Sequence, residues 1–345
     1  MPSSTGWRLR EARAMTVARL RVVAAGPLTT VQDRGRFGLM RFGVPWSGPV
    51  DPLAFAAAQA AAATPPGAPA IELSRGGLAL SVQDCALGFA LTGDGFRAVL
   101  NGVDLGAWIA GALTAGDRLR VRDSGEGNWA YLAFGGVLDA QRWAGSAATL
   151  ALSNLGGGRI EAGAELLVAE PAPPLGDPRP LPRPEAADGP IRAVLGPQDQ
   201  HFPPHALAAL TSEAFALTPR MDRMGARLAG PPLVPTGIAM LSEGAARGSV
   251  QVDGSGVASV LLADHQTTGG YPKIATVIGP DLARLAQLPP GRPFRFALVT
   301  PEAANRAARE HAAALTADLN RLTKPASLDA RLRTANLISG AISAS

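Results

Sequence analysis

Short apolar runs separated by turn residues set the pattern of this chain. Arg118-Leu119-Arg120-Val121-Arg122 alternates polar and apolar side chains, the period of a strand with one buried face. Trp129 to Phe134, Ile191 to Leu195, Val257 to Leu262, Lys273 to Ile278 and Phe294 to Val299 are apolar runs closed by Gly, Pro or Asp. Three turns, Ala115-Gly116-Asp117, Ala162-Gly163-Ala164 and Pro290-Gly291-Arg292, lead into strands. Many short strands with turn signals predict a mainly β fold of barrels or sandwiches, not an alternating α/β one.

Helical signals are few. Asp51 followed by Pro52 predicts an N-cap and first turn for the alanine-rich run to Ala63, which Thr64-Pro65-Pro66 stops. A second short helix is predicted near Pro203-Pro204. A third runs from Glu302 to Leu322, with Leu315, Leu319 and Leu322 on one stripe that packs on a barrel. Between Pro171 and Pro184, seven of fourteen residues are proline. Proline removes a donor and fixes φ, so this run reads as a linker that fills neither sheet nor helix. The predicted organisation is a disordered leader (1–16), an N-terminal β-rich domain (17–170), a proline-rich linker (171–189), a C-terminal barrel (190–300), and a closing helix with its tail (301–345).

Composition narrows the class. Hydrophobic residues are 47% and charged residues 17% of 345, as in a folded chain with sizeable cores. The formal charge of +4 is dispersed over arginines, only Lys273 and Lys324 being lysine, and no basic cluster interleaves with aromatics. Nucleic acid is therefore not an expected partner. One cysteine, Cys85, needs no oxidising compartment. With no apolar run approaching 18 residues and no secretory signal, the expected place is the cytoplasm, away from membranes.

The densest chemistry lies in Asp264-His265-Gln266-Thr267-Thr268-Gly269-Gly270-Tyr271-Pro272-Lys273, where glycines let backbone N–H groups approach a ligand. Its alternative is a polar hairpin that caps its own backbone. Arg220-Met221-Asp222-Arg223 offers two guanidinium groups for a carboxylate or phosphate, or else a surface ion-pair cluster. Glu243, before Gly244, is a candidate general base, with Gln251 a few residues on. Gln32, Asp33 and Arg34 stand between a strand and a glycine-rich loop, and Gly196-Pro197-Gln198-Asp199 follows another strand. The sequence carries no P-loop, no dinucleotide fingerprint and no nucleophile elbow, and its one histidine pair four apart, His201 and His205, has two prolines between them, against a shared helical face for a metal.

Six segments in order resemble one family: Thr-Thr-Val-Gln-Asp-Arg-Gly-Arg at 29–36, Leu-Gly-Pro-Gln-Asp at 195–199, Asp-Arg-Met-Gly at 222–225, Ser-Glu-Gly at 242–244, Gln-Thr-Thr-Gly-Gly-Tyr-Pro at 266–272 and Asn-Leu-Ile-Ser-Gly at 336–340. This is the biotin-dependent carboxyltransferase, or allophanate hydrolase subunit 2, family. It includes the C subunit of 5-oxoprolinase, the KipI antagonist KipA and half of the carboxyltransferase region of urea carboxylase.

The resemblance implies two cyclophilin-like β-barrel domains and a hetero-oligomer. It implies ATP-driven hydrolysis of 5-oxoproline to glutamate together with the A and KipI-like B subunits of 5-oxoprolinase. The isolated chain is then expected to be inactive, with ATP bound alongside the partners. A carboxybiotin-dependent transfer to urea or a related amide, and a KipA-like regulatory role, are the alternatives. No Met-Lys-Met attachment motif is present, so covalent biotin is not expected on this chain.

On this reading Asp222, Arg223, Glu243, Asp264 and Lys273 are the catalytic candidates. Gln32, Asp33, Arg34, Arg220, Gln251, Gln266, Thr267, Thr268, Gly269, Gly270 and Tyr271 contact a small amide substrate. Arg223→Ala is expected to abolish activity and leave the fold intact.

Overall fold

The computed structural model describes residues 16–172, 176–184, 188–237 and 240–323. The expected leader, apart from its last residue, and the signature at 336–340 lie outside the described residues. The architecture is mainly β, as the run lengths predict.

The N-terminal half is a two-sheet sandwich. One sheet orders its strands Val137–Leu138, Glu165–Ala169, Val17–Ala25, Leu78–Val82, Arg118–Asp123, Phe96–Leu100 and Val103–Gly106. The other orders Arg179–Pro180, Ile109–Leu113, Leu87–Gly93, Ala130–Phe134, Ala70–Leu73 and Thr30–Gln32. Arg118–Asp123 keeps Leu119 and Val121 inside and its arginines outside, as its alternation requires. Leu87–Gly93 and Ala130–Phe134 are buried throughout because both faces are covered. Phe89, Leu91 and Leu132 face the opposite sheet, whereas Ala90, Tyr131 and Ala133 face the helix Pro52–Ala62. Alanine on that face lets the helix sit close.

The C-terminal half is one curled sheet, in the order Pro293–Phe294, Phe215–Met221, Gly225–Ala229, Ala258–Leu261, Ser249–Val252, Lys273–Val277, Ile191–Leu195 and Phe296–Leu298. Its two edge strands are separated by Arg295 alone, so the sheet returns on itself as a nearly closed barrel. Ala226, Val260, Val250 and Ala275 form one inward row through the cross-strand register. Val50 and Trp129, from the first half, complete this core.

Several expectations need correction. The run 294–299 breaks at Arg295 into two short edge strands. A helix unread in the sequence, Gly279–Gln287, starts at Gly-Pro and buries Leu282 and Leu285. The proline run is not merely a spacer. Arg179–Pro180 pairs with Ile109 and Ala110, and Leu181 is buried. Pro180 is tolerated because it lies at a sheet edge, where a missing donor costs no ladder bond. The helix Pro301–Thr323 places Leu319 and Leu322 against the Pro52–Ala62 helix of the first half, so its stripe bridges both halves. No helix among the described residues is long and apolar enough to cross a membrane.

Candidate functional site

Four polar segments of the C-terminal half converge beside the barrel. Glu243–Gly244 and Thr268–Gly269 form a two-residue antiparallel ladder, extended by the Ala245 N–H donating to Thr267 at 2.9 Å. Gln198 joins this lip to the barrel: its amide donates to Glu243 at 2.5 Å, and its carbonyl accepts from the Lys273 backbone N–H at 3.2 Å. Gln251 accepts from Gln266 at 2.9 Å and lies under Gly269. Gly270 faces Ser242. Tyr271 is exposed at the rim, while Gln198, Gln251 and Lys273 are buried. A polar half-open cluster results, with Glu243 exposed at its lip.

Gly196 permits this arrangement. A Cβ there would stand 2.0 Å from the Lys273 carbonyl oxygen, inside any tolerable contact. Only glycine lets the 196–199 turn bring Gln198 against the strand Lys273–Val277.

Arg223 and Asp264 lie elsewhere, in a buried seam between the halves. Arg223 is 1% exposed and donates twice to Asp264, each at 2.9 Å, to Glu72, and to the Gly48 carbonyl at 2.7 Å. Burial by itself would lower its pKa, but the charges of Asp264 and Glu72 reverse the sign and hold it cationic. Glu72 also accepts from the Val50 N–H at 2.9 Å and the Tyr131 hydroxyl at 2.7 Å. Tyr131 in turn accepts from the Asp51 N–H, and Gln287 donates to the Asp51 carboxylate at 2.9 Å. Burial and the neighbouring Glu72 charge push the Tyr131 hydroxyl well up, so it stays a donor. Asp264 further accepts from the Ala151 N–H of the first half at 3.2 Å.

The guanidinium of Arg223 is thus engaged with protein acceptors, and its expected role in the substrate site gives way to joining the halves. Its removal would strand two buried carboxylates, so Arg223→Ala would not leave the fold intact. Asp222 is exposed and accepts from the Met224 and Gly225 N–H groups, shaping its own turn. Arg220 is exposed near the end of the strand Phe215–Met221 and is not brought to Arg223.

The N-terminal candidates hold a loop. Asp33 accepts from the Ser146 hydroxyl and the N–H groups of Ala147, Ala148 and Gly35 at 2.5–3.2 Å. Gln32 donates to Thr30 and to the Thr149 carbonyl. Arg34 is exposed and packs on Gly67. Arg36 links this loop to the seam, bonding Ser47 at 3.1 Å and Ala148 and stacking over Trp143 at 5.0 Å. Burial lowers its pKa, opposed by Asp264 and Asp33.

His265 is buried between the seam and the cluster, its Nδ1 2.7 Å from the Gln266 carbonyl. Burial lowers its pKa, and the positive charge of Arg247 adds to this. Arg247 donates to the Pro49 and Val50 carbonyls across the seam. Glu72, Tyr131 and Arg247 were not singled out by sequence, and Arg36, which closes the 29–36 signature, was given no role. A carboxylate in the apolar strand Ala70-Ile71-Glu72-Leu73 was the available signal. Of two surface cavities, one of 390 Å³ beside Pro190 and Phe296 is lined by none of these groups, and one of 300 Å³ beside Leu138 is lined by Arg142, whose guanidinium is 3.6 Å from the Asp33 carboxylate.

Residues 42–298 match the model of the carboxyltransferase domain, subdomain A and B. The chain belongs to this family. It is 34% identical over 303 residues to the 5-oxoprolinase C subunit of Escherichia coli K12, covering 84% of this chain and 94% of that one. The crystal structure of TTHA0988 superposes with a TM-score of 0.72 at 34% identity, over 81% of this chain and 55% of that one. The urea amidolyase of K. lactis shares the fold, with a TM-score of 0.78 at 24% identity, over 87% of this chain and 20% of that one.

Proposed function

We propose that this chain is the C component of an ATP-dependent 5-oxoprolinase, opening 5-oxoproline to glutamate in the cytoplasm with the A and KipI-like B subunits. The observation that carries this reading is the 34% identity to the E. coli 5-oxoprolinase C subunit across 94% of that relative. The cluster around Gln198, Gln251 and Glu243 supports it with groups suited to a small amide.

A lactam is a resonance-stabilised amide, so its carbonyl must be activated before water adds. ATP, bound with the partners, supplies the phosphoryl group for that oxygen. This chain's groups do the rest on the proposal. Gln251 and Gln266 orient the amide, and the 268–270 backbone lines the opening. Glu243, held by Gln198, takes the proton from attacking water. The ring C–N bond then breaks, the nitrogen is protonated, and a second water cleaves the resulting acyl phosphate to glutamate and phosphate. With no P-loop of its own, the isolated chain is inactive.

Co-expression with the A and B partners, followed by measurement of glutamate from 5-oxoproline and ATP, tests the reading. Glutamate from the complex and none from the chain alone is the expected result. An assembled complex that forms none overturns it.

A further inference from the structure

Among the described residues three cationic side chains are buried: Arg36, Arg223 and Lys273. Arg36 and Arg223 each bond several acceptors. Lys273 is 2% exposed and its Nζ has no hydrogen-bond partner. An ammonium held out of water without an acceptor costs several kcal/mol, and a fold retains such a group only where something offsets it.

Its position says what could. Lys273 stands opposite Gln251 in the ladder, at a β-bulge where the register of the two strands shifts. Ile274 and Ala275 beside it belong to the apolar barrel core, and Gln251 reaches the 266–269 loop. The Lys273 backbone is pinned by Gln198, which also holds Glu243. The residue that carries the unpaired cation is therefore the strand neighbour of Gln251 and the backbone partner of Gln198, two glutamines of the amide-binding cluster.

We propose that Lys273 is the anchor for the carboxylate of the substrate and thereby selects an anionic lactam over a neutral one. This rests on the 5-oxoproline reading and adds to it the group that recognises the acid. The lactam carbonyl faces the glutamines, and the carboxylate supplies the acceptor that the ammonium lacks. A nucleotide phosphate is the other anion that could fill this role, and the experiment separates the two.

The test compares wild-type and Lys273→Met chains, each purified in complex with the A and B partners. Binding of 5-oxoproline, of 2-pyrrolidinone, which lacks the carboxylate, and of ATP is measured by calorimetry, and turnover in parallel. Loss of a charge-assisted bond should weaken 5-oxoproline binding about 10- to 100-fold, leaving 2-pyrrolidinone and ATP binding unchanged. Lys273→Arg should restore part of the loss. The ligand-free Lys273→Met chain should also melt about 2–4 °C higher, because an unpaired buried charge has been removed.

Equal binding of both lactams by the wild type, an effect confined to ATP, or a lowered melting temperature each overturns the proposal. If the wild-type complex binds 5-oxoproline selectively through Lys273 yet forms no glutamate, the anchor stands and the 5-oxoprolinase reading falls.

Discussion

Arg223 and Glu72 stand 151 positions apart and meet, both nearly inaccessible to water, at the seam between the two halves. With Asp264 they form a buried triad in which one guanidinium bridges two carboxylates. The energetics of such a group are asymmetric. Assembling it gains little over an apolar packing, but removing one member leaves uncompensated charge. Replacing Arg223 by Met should therefore cost about 3–5 kcal/mol in a denaturant titration. Lost turnover with an unchanged unfolding midpoint would restore Arg223 to the substrate site.

Asp33 accepts from the Ser146 hydroxyl and from the N–H groups of Ala147, Ala148 and Gly35, and so ties the 146–148 loop to its own turn. Asp33→Ala should destabilise by about 1.5–3 kcal/mol, since its bonds are to a charged acceptor. Hydrogen exchange at Ala147 and Ala148 should accelerate most. Uniform acceleration along the whole chain would argue against a local anchor.

Gly196 touches the strand behind it. Gly196→Ala would place a methyl carbon 2.0 Å from the Lys273 carbonyl, so strand or turn must move. The Gln198 bond to Glu243 should be lost with that movement. Turnover of the assembled complex should fall at least tenfold with a smaller change in the binding of ATP, which on the proposed function sits with the partners. Wild-type kinetics would show that Gln198 plays no part.

His265 gives the pH dependence a sign. Burial holds its pKa below the ordinary value, so the unfolded chain takes up a proton before the folded one does. Stability is full above the unfolded pKa of about 6.5 and is lost as pH falls from there towards the folded pKa. His265→Gln should flatten the decline measured by thermal unfolding between about pH 7 and 5.5. A steeper decline in the variant would contradict the burial argument.

Asp281 titrates lower and with a partner outside the site. Although burial opposes it, the Arg192 guanidinium, bonded at 2.7 and 3.0 Å, keeps its carboxyl below the usual range. Its contribution is present above the unfolded pKa of about 3.9 and disappears as pH falls through the lower folded value. Asp281→Asn should remove that acid-limb loss, read from unfolding midpoints between about pH 5 and 2.

Much of this was written in local order. The alternation of Arg118–Arg122, the Asp51-Pro52 cap and the apolar runs at 130–134 and 191–195 yield their elements because each depends on neighbours within a few residues. Gln251, Gln266, Glu243 and Gly269 were also legible, as polar groups and glycines crowded beside strands. Pairings across the fold were not. Asp222 and Arg223 are adjacent in the turn between Phe215–Met221 and Gly225–Ala229, yet one accepts from its own turn and the other reaches acceptors at 48, 72 and 264, which only the fold brings near. The helix Gly279–Gln287 escaped notice because its apolar positions form only a narrow stripe among polar residues.

By itself the sequence determined the mainly β character, the family and the loops that carry polar chemistry, since these follow from periodicity, turn residues and motifs contained in short segments. Only the tertiary structure decided that Glu72 and Tyr131 receive Arg223, that the proline run docks as an edge strand, and that Lys273 is left without an acceptor. Whether a charge is satisfied depends on acceptors brought from distant parts of the chain, and local sequence does not record those distances.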